Sequence, residues 1–205
     1  MKYAINHEYV SINSQKAQHR IILVHGWGAD ADDLLPLARE IKEVSNIDFE
    51  IISLRAPAMH PNSIGRQWYG LYPHDWDEAE IEVRKLLLSL RKLDRCKIPL
   101  KKTILLGFSQ GAAMSLDAGS KLDLGLIVSC SGYPHPNWQP GKNSPPIIIS
   151  HGLLDEIVPI AASKIVYQKL KNISVNICKF YEFNGSHQID INLINLINST
   201  IKELF

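Results

Sequence analysis

The sequence predicts an α/β fold: a mostly parallel central sheet with helices on both faces. Three observations lead there. Short apolar runs alternate with stretches of helical period along the chain. The inner runs, such as Ile104-Leu105-Leu106 and Ile147-Ile148-Ile149, are apolar on successive residues, which burial on both faces explains. No repeat, low-complexity tract or linker interrupts the pattern, so residues 1–205 read as a single domain of ordinary size.

The elements follow in order. Strands are expected at Tyr3–Ile12, Arg20–His25, Phe49–Leu54, Thr103–Phe108, Leu124–Cys130, Pro146–His151 and Val175–Phe183. The first joins the second through a short polar stretch and reads as an antiparallel edge strand. Helices are expected between most of them. Residues 31–44 put Leu34, Leu37, Ala38 and Ile41 on one face, and residues 76–94 do the same with Ala79, Val83, Leu86, Leu87 and Leu90. Further helices are expected at 112–122, at 159–171 after Pro159, and at 188–204, where Leu193, Leu196, Ile197 and Leu204 align. Residues 55–75 have no sustained period, and a connection this long inside a compact domain is usually functional or mobile.

Composition narrows the function. Hydrophobic residues make up 45% and charged residues 21%, and the net charge of +1 argues against electrostatic capture of nucleic acid or anionic membrane. No window has the apolar length of a signal peptide or a membrane span, so a soluble cytoplasmic protein without stable membrane insertion is expected. Cys96, Cys130 and Cys178 lack metal-ligand spacing. Cys130 and Cys178 sit in apolar runs and read as buried, reduced thiols.

The chemistry concentrates at Gly107-Phe108-Ser109-Gln110-Gly111. About 0.07 matches to Gly-x-Ser-x-Gly are expected by chance in a chain of this length, and here the motif also follows a strand and opens a helix. That is the setting of a nucleophile elbow. Ser109 sits on a strained turn, and glycines without a Cβ let strand and helix close around it.

In open α/β sheets, binding groups collect on loops beyond the carboxyl ends of strands. One such loop carries Asp155, another His187, and a third is the turn Gly26-Trp27-Gly28. The order Ser109, Asp155, His187 is the hydrolase order for this architecture. A serine hydroxyl needs an adjacent base, a role for His187, and an acid such as Asp155 to hold that imidazole in its working tautomer. Backbone N–H groups of Gln110 and of the 26–28 turn are candidates for stabilising an oxyanion. Taken singly, His187 could be a surface-loop histidine and Asp155 a helix cap. Asp190 is a rival acid, placed by its spacing in the last helix. His25 and His151 each end a strand in a His-Gly pair and read as turn-shaping residues.

These motifs together resemble the phospholipase/carboxylesterase family of small α/β-hydrolases, which includes acyl-protein thioesterases. The resemblance lies in Val24-His25-Gly26-Trp27-Gly28 with Asp30, in Arg55-Ala56-Pro57, and in the elbow with its Phe108 and Gln110. It continues in His151-Gly152 with Asp155, Val158 and Pro159, and in Gly185 with His187. It implies a three-layer αβα α/β-hydrolase fold with catalytic Ser109, Asp155 and His187, and oxyanion donors on the Trp27 and Gln110 backbone. No metal or organic cofactor is implied. The chain is too short for a separate cap domain.

Trp68, Tyr69, Tyr72 and Trp76 form an aromatic cluster that either packs the long loop against the body or walls an acyl pocket. Trp68 and Tyr69, which match the family's loop, are the candidates for binding substrate. Gly70 departs from the family's aspartate there, and the loop is rebuilt around Gly65-Arg66-Gln67 and Tyr72-Pro73. The expected function is hydrolysis of small-molecule or acylated carboxylic esters or thioesters through an acyl-enzyme. The alternatives are a ligand-binding protein on a hydrolase scaffold and a dienelactone-hydrolase-like enzyme, whose usual nucleophile is cysteine rather than serine.

Overall fold

A computed structural model describes residues 7–173 and 177–205. In chain order the strands are β1 (Tyr9–Ile12), β2 (His19–Val24), β3 (Phe49–Leu54), β4 (Ala58–Met59), β5 (Arg66–Gln67), β6 (Thr103–Phe108), β7 (Leu126–Cys130), β8 (Ile147–Gly152) and β9 (Cys178–Phe183). The α-helices are α1 (Leu35–Ser45), α2 (Trp76–Leu93), α3 (Gln110–Gly119), α4 (Ile160–Asn172) and α5 (Leu193–Leu204).

Seven strands form one sheet in the order β1-β3-β2-β6-β7-β8-β9. All neighbours are parallel except β1, the expected antiparallel edge, which pairs with β3 in the register Tyr9↔Leu54. The parts of the first and last predicted strands at residues 3–6 and 175–176 lie outside the described residues.

Alternation within each strand divides the core in two. Ile22, Val24, Leu105 and Ile147 pack on one face under α2, α3 and α4, through residues such as Leu86, Met114 and Val166. Ile21, Leu23, Leu106 and Ile148 pack on the other under α1 and α5, through Ala38, Ile41, Ile197 and Ile201. Because both faces are covered, the inner strands carry apolar residues on successive positions, as in Ile104-Leu105-Leu106 and Ile147-Ile148-Ile149.

Three helices begin clearly away from their expected bounds. α1 starts at Leu35 rather than 31. α3 starts at Gln110, directly after Ser109. α5 starts at Leu193 because the Asp190 side chain accepts the Asn192 N–H at 2.8 Å, holding residues 188–192 as a turn. No helix among the described residues is long and apolar enough to cross a membrane. The cysteines are free thiols; Cys130 is buried and pushed up to about 12 by that burial, while Cys178 is only half-buried.

The parallel strands all end on one edge, and that edge receives the loops after β2, β6, β8 and β9.

Candidate active site

Ser109 follows β6 with φ +53° and ψ −117°, in the left-handed half of backbone space that side chains disfavour. Its N–H donates to the Cys130 carbonyl at 2.8 Å, which fastens the turn to the adjacent strand. Gly111 is required here. A Cβ on it would stand 2.0 Å from the Val24 carbonyl oxygen, so only glycine lets α3 start this close to β2.

The sheet brings the three distant residues together. The Ser109 hydroxyl lies 3.0 Å from His187 Nε2, and His187 Nδ1 lies 2.8 Å from Asp155 Oδ2. Asp155 Oδ1 accepts the N–H groups of Ile157 (3.0 Å) and Val158 (2.9 Å). The helix-capping reading of Asp155 is therefore half right: one carboxylate oxygen orders the turn into α4, and the other faces the imidazole. Burial works to raise the Asp155 pKa, but the hydrogen bonds from His187 and Val158 and the nearby His187 charge outweigh it. The carboxyl is held below the usual aspartate range. Asp190 is not a rival, since its carboxylate accepts the Tyr181 hydroxyl at 3.0 Å.

His151 was missed. It does shape its turn, with Nε2 2.7 Å from the Val158 carbonyl, but the same nitrogen is 3.2 Å from Asp155 Oδ2. A carbonyl only accepts, so Nε2 carries the proton. Nδ1 lies 2.7 Å from the Ser163 hydroxyl, whose single proton is within reach of both Nδ1 and the Gly132 carbonyl (3.0 Å). Burial lowers the His151 pKa, which favours this neutral form. Two imidazoles thus share one oxygen of one carboxylate. The spacing His151-x-x-x-Asp155 was the available signal, but it does not say which way the ring faces.

The turn after β2 lies against Ser109. A Cβ on Gly26 would be 3.5 Å from Ser109 Cβ. His25 supports this turn from inside the protein: Nδ1 donates to the Gly26 carbonyl at 2.8 Å, and Nε2 accepts the Ala56 N–H at 3.2 Å. Asp30 accepts from Arg55 Nε at 2.8 Å, which ties two of the sequence motifs into one unit.

Residues 55–75 complete the support. β4 and β5 form a hairpin, and Arg66 exchanges backbone hydrogen bonds of 2.8 Å with Gly28 and Ala29. Gly65, at φ +71°, approaches so closely that a Cβ would sit 1.8 Å from the Gly28 carbonyl oxygen. The aperiodic segment is thus a brace for the Trp27 turn.

Trp68 and Tyr69 require a correction. Both are fully buried, with 0% exposure, so neither has surface to offer a substrate. Trp68 Nε1 donates to the His25 carbonyl at 2.8 Å, and the Tyr69 hydroxyl meets Tyr133 (2.6 Å) and His135 (2.9 Å). Burial, then Tyr133, pushes the Tyr69 hydroxyl above its ordinary range. The sequence located the segment but not the direction of its rings. The aromatic side chains that reach solvent here are Tyr72, Trp76 and part of Trp27.

Gln110 joins this segment to the elbow. Its Oε1 accepts the Trp68 N–H at 3.0 Å and its Nε2 donates to the Tyr69 carbonyl at 2.8 Å. Gln110→Ala leaves both buried backbone groups unpaired. The expected loss is about 2–4 kcal/mol, measured by urea denaturation, with a fall in Tm of about 5–15 °C.

Among the described residues no cluster of His, Cys, Asp or Glu suits a metal ion. The arrangement present is a hydroxyl, an imidazole and a carboxylate in hydrogen-bonded series beside a braced glycine turn.

Comparison with known proteins agrees. The profile of the family described as Phospholipase/Carboxylesterase matches residues 5–204. Acyl-protein thioesterase 1 of Candida albicans is 28% identical over 203 residues, covering 86% of this chain and 87% of that protein. Its namesake in Debaryomyces hansenii is 29% identical over 223 residues, covering 95% and 96%. The crystal structure of esterase PE8 superposes with a TM-score of 0.81 at 25% identity, covering 97% of this chain and 98% of that one. The Bacillus cereus carboxylesterase shares the fold, with a TM-score of 0.81 at 17% identity over 98% of this chain and 96% of its own. With its profile matched almost end to end and its sheet shared with solved esterases, this chain is a hydrolase belonging to the phospholipase/carboxylesterase family.

Proposed function

We propose that this protein cleaves carboxylic ester or thioester bonds through an acyl-enzyme on Ser109. One observation carries the reading: the unbroken series Ser109 Oγ, His187 Nε2, His187 Nδ1, Asp155 Oδ2, at 3.0 and 2.8 Å. As the hydroxyl attacks the acyl carbon, His187 takes its proton. Asp155 holds the Nδ1–H tautomer and stabilises the imidazolium that forms. The N–H groups of Trp27 and Gln110 receive the carbonyl oxygen as it becomes negative, assisted by the positive end of α3. His187 then returns its proton to the departing alcohol or thiol. Water, deprotonated by the same imidazole, releases the acid in a second round. Names of relatives such as acyl-protein thioesterase support including thioesters in the substrate class.

The test uses p-nitrophenyl esters of graded acyl length, matched thioesters and lysophospholipids, together with a fluorophosphonate probe. Turnover of esters or thioesters with a pre-steady-state burst, and one probe bound per chain, is expected. Neither turnover nor labelling would leave only a ligand-binding protein on this scaffold.

The brace on the Trp27 turn gives a separate expectation. Gly65→Ala cannot fit against Gly28 without moving it. Displacing the Trp27 N–H from its oxyanion position should lower kcat by about 10²–10³. Steady-state kinetics with circular dichroism as a folding control checks this.

A further inference from the structure

We propose that the cleft beside Trp27 is a subsite for an organic cation, so that one arm of the preferred substrate carries a substituted ammonium group. This inference rests on the esterase reading for its meaning, but the binding it predicts can be measured without turnover.

The cleft has a volume of about 760 Å³, within the ordinary range for small-ligand sites. Its inner end is Trp27, whose turn abuts Ser109, and the Trp27 indole is fixed by donation to Gln67 Oε1 at 2.8 Å. From there the walls are aromatic. Trp27 and Tyr72 meet edge to face at 5.5 Å, and His74 stacks on Trp76 at 4.7 Å and 20°. Tyr72 is 78% exposed and Trp76 37% exposed, so ring surface is left facing water in the cleft that Trp27 lines.

Apart from the imidazoles of His60 and His74, the ionisable groups that line the cleft are carboxylates. Asp75 and Asp77 line the cleft, and no lysine or arginine does. The N-terminus of α2 lies here too, and its dipole would favour an anion with the equivalent of about half a positive charge. That effect loses. Asp75 caps the Glu78 N–H at 2.8 Å, Asp77 and Glu78 follow in the first turn, and Glu78 itself accepts the Gly70 N–H at 2.9 Å. Three carboxylates against half a charge leave the region strongly negative. Aromatic faces under a negative potential favour a weakly hydrated cation over a neutral group of equal shape, because ring quadrupole and carboxylates act in the same direction. An anionic arm is disfavoured at the same place.

Choline and its neutral carbon isostere 3,3-dimethylbutan-1-ol differ only in the charge at the branched end. Titration of the tryptophan indole N–H signals by NMR, and slowing of fluorophosphonate labelling, measure both. We expect choline to bind roughly tenfold more tightly. Tyr72→Leu, at a 78% exposed position, and Asp77→Asn should each cut that ratio at least threefold, with circular dichroism as the folding control. Equal or tighter binding of the neutral alcohol, or a choline advantage unchanged in both variants, overturns the proposal. If the probe labels Ser109 but the isosteres bind alike, the subsite falls and the esterase reading stands. If choline selectivity is seen without any labelling, the subsite stands and the esterase reading falls.

Discussion

Replacing Ser109 with alanine is expected to lower kcat by about 10⁶ and to abolish fluorophosphonate labelling, with the fold unchanged. The reasons lie on both sides of the site. Only the Ser109 hydroxyl stands 3.0 Å from His187 Nε2, so its loss removes the atom that would be acylated. The turn itself does not depend on the hydroxyl. It is held by the Ser109 N–H on Cys130 and by the close approach of Gly111 to β2, and alanine preserves both.

A second variant separates strain from chemistry. At φ +53° a Cβ is unfavourable whichever side chain follows, so Ser109→Ala keeps that strain and Ser109→Gly relieves it. The glycine variant should be more stable than the alanine variant by on the order of 1 kcal/mol, although both are inactive. Urea denaturation of the pair, alongside burst kinetics, checks the two halves together. Residual turnover near that of the parent would end the assignment of Ser109.

Asp155→Asn is expected to cost about 10⁴ in kcat. The hydrogen bonds determine why. Oδ1 faces two N–H donors, from Ile157 and Val158, so the amide must place its oxygen there. Its NH₂ group then points at His187 Nδ1, which becomes an acceptor, and the proton moves to Nε2. An imidazole protonated at Nε2 cannot take the serine proton. The same NH₂ group also meets His151 Nε2–H across a gap that was 3.2 Å in the parent, donor against donor. Some loss of stability should therefore accompany the kinetic loss. The measurements are kcat over a pH series, a thermal melt, and the imidazole tautomer by ¹⁵N NMR. An asparagine variant that keeps parental kcat would show that the carboxylate does not orient His187.

The sequence by itself determined the layering, the strand cores and which hydroxyl, imidazole and carboxylate to look for at the strand ends. Burial on both faces leaves apolar residues on successive positions, as in Ile104-Leu105-Leu106, and the expected bounds Phe49–Leu54 and Thr103–Phe108 are those of β3 and β6. A strand-to-helix turn with glycines on either side of a serine is a local pattern, as is an acid or histidine just past a strand. Local patterns are legible because the forces that shape them act over a few residues.

Tertiary structure decided which way each ring faces and what braces the site. Trp68 and Tyr69 are buried while Tyr72 and Trp76 face the cleft, although the first three lie in one aperiodic stretch and Trp76 directly follows it. His151 proves to share the Asp155 carboxylate, and Gly65 proves to prop the Trp27 turn through Gly28. The Gly65–Gly28 contact joins segments that only the folded chain brings together, and the His151-x-x-x-Asp155 spacing is local but does not say which way the ring faces. Side-chain direction in a loop depends on what packs behind it, and that is known only once the chain has folded.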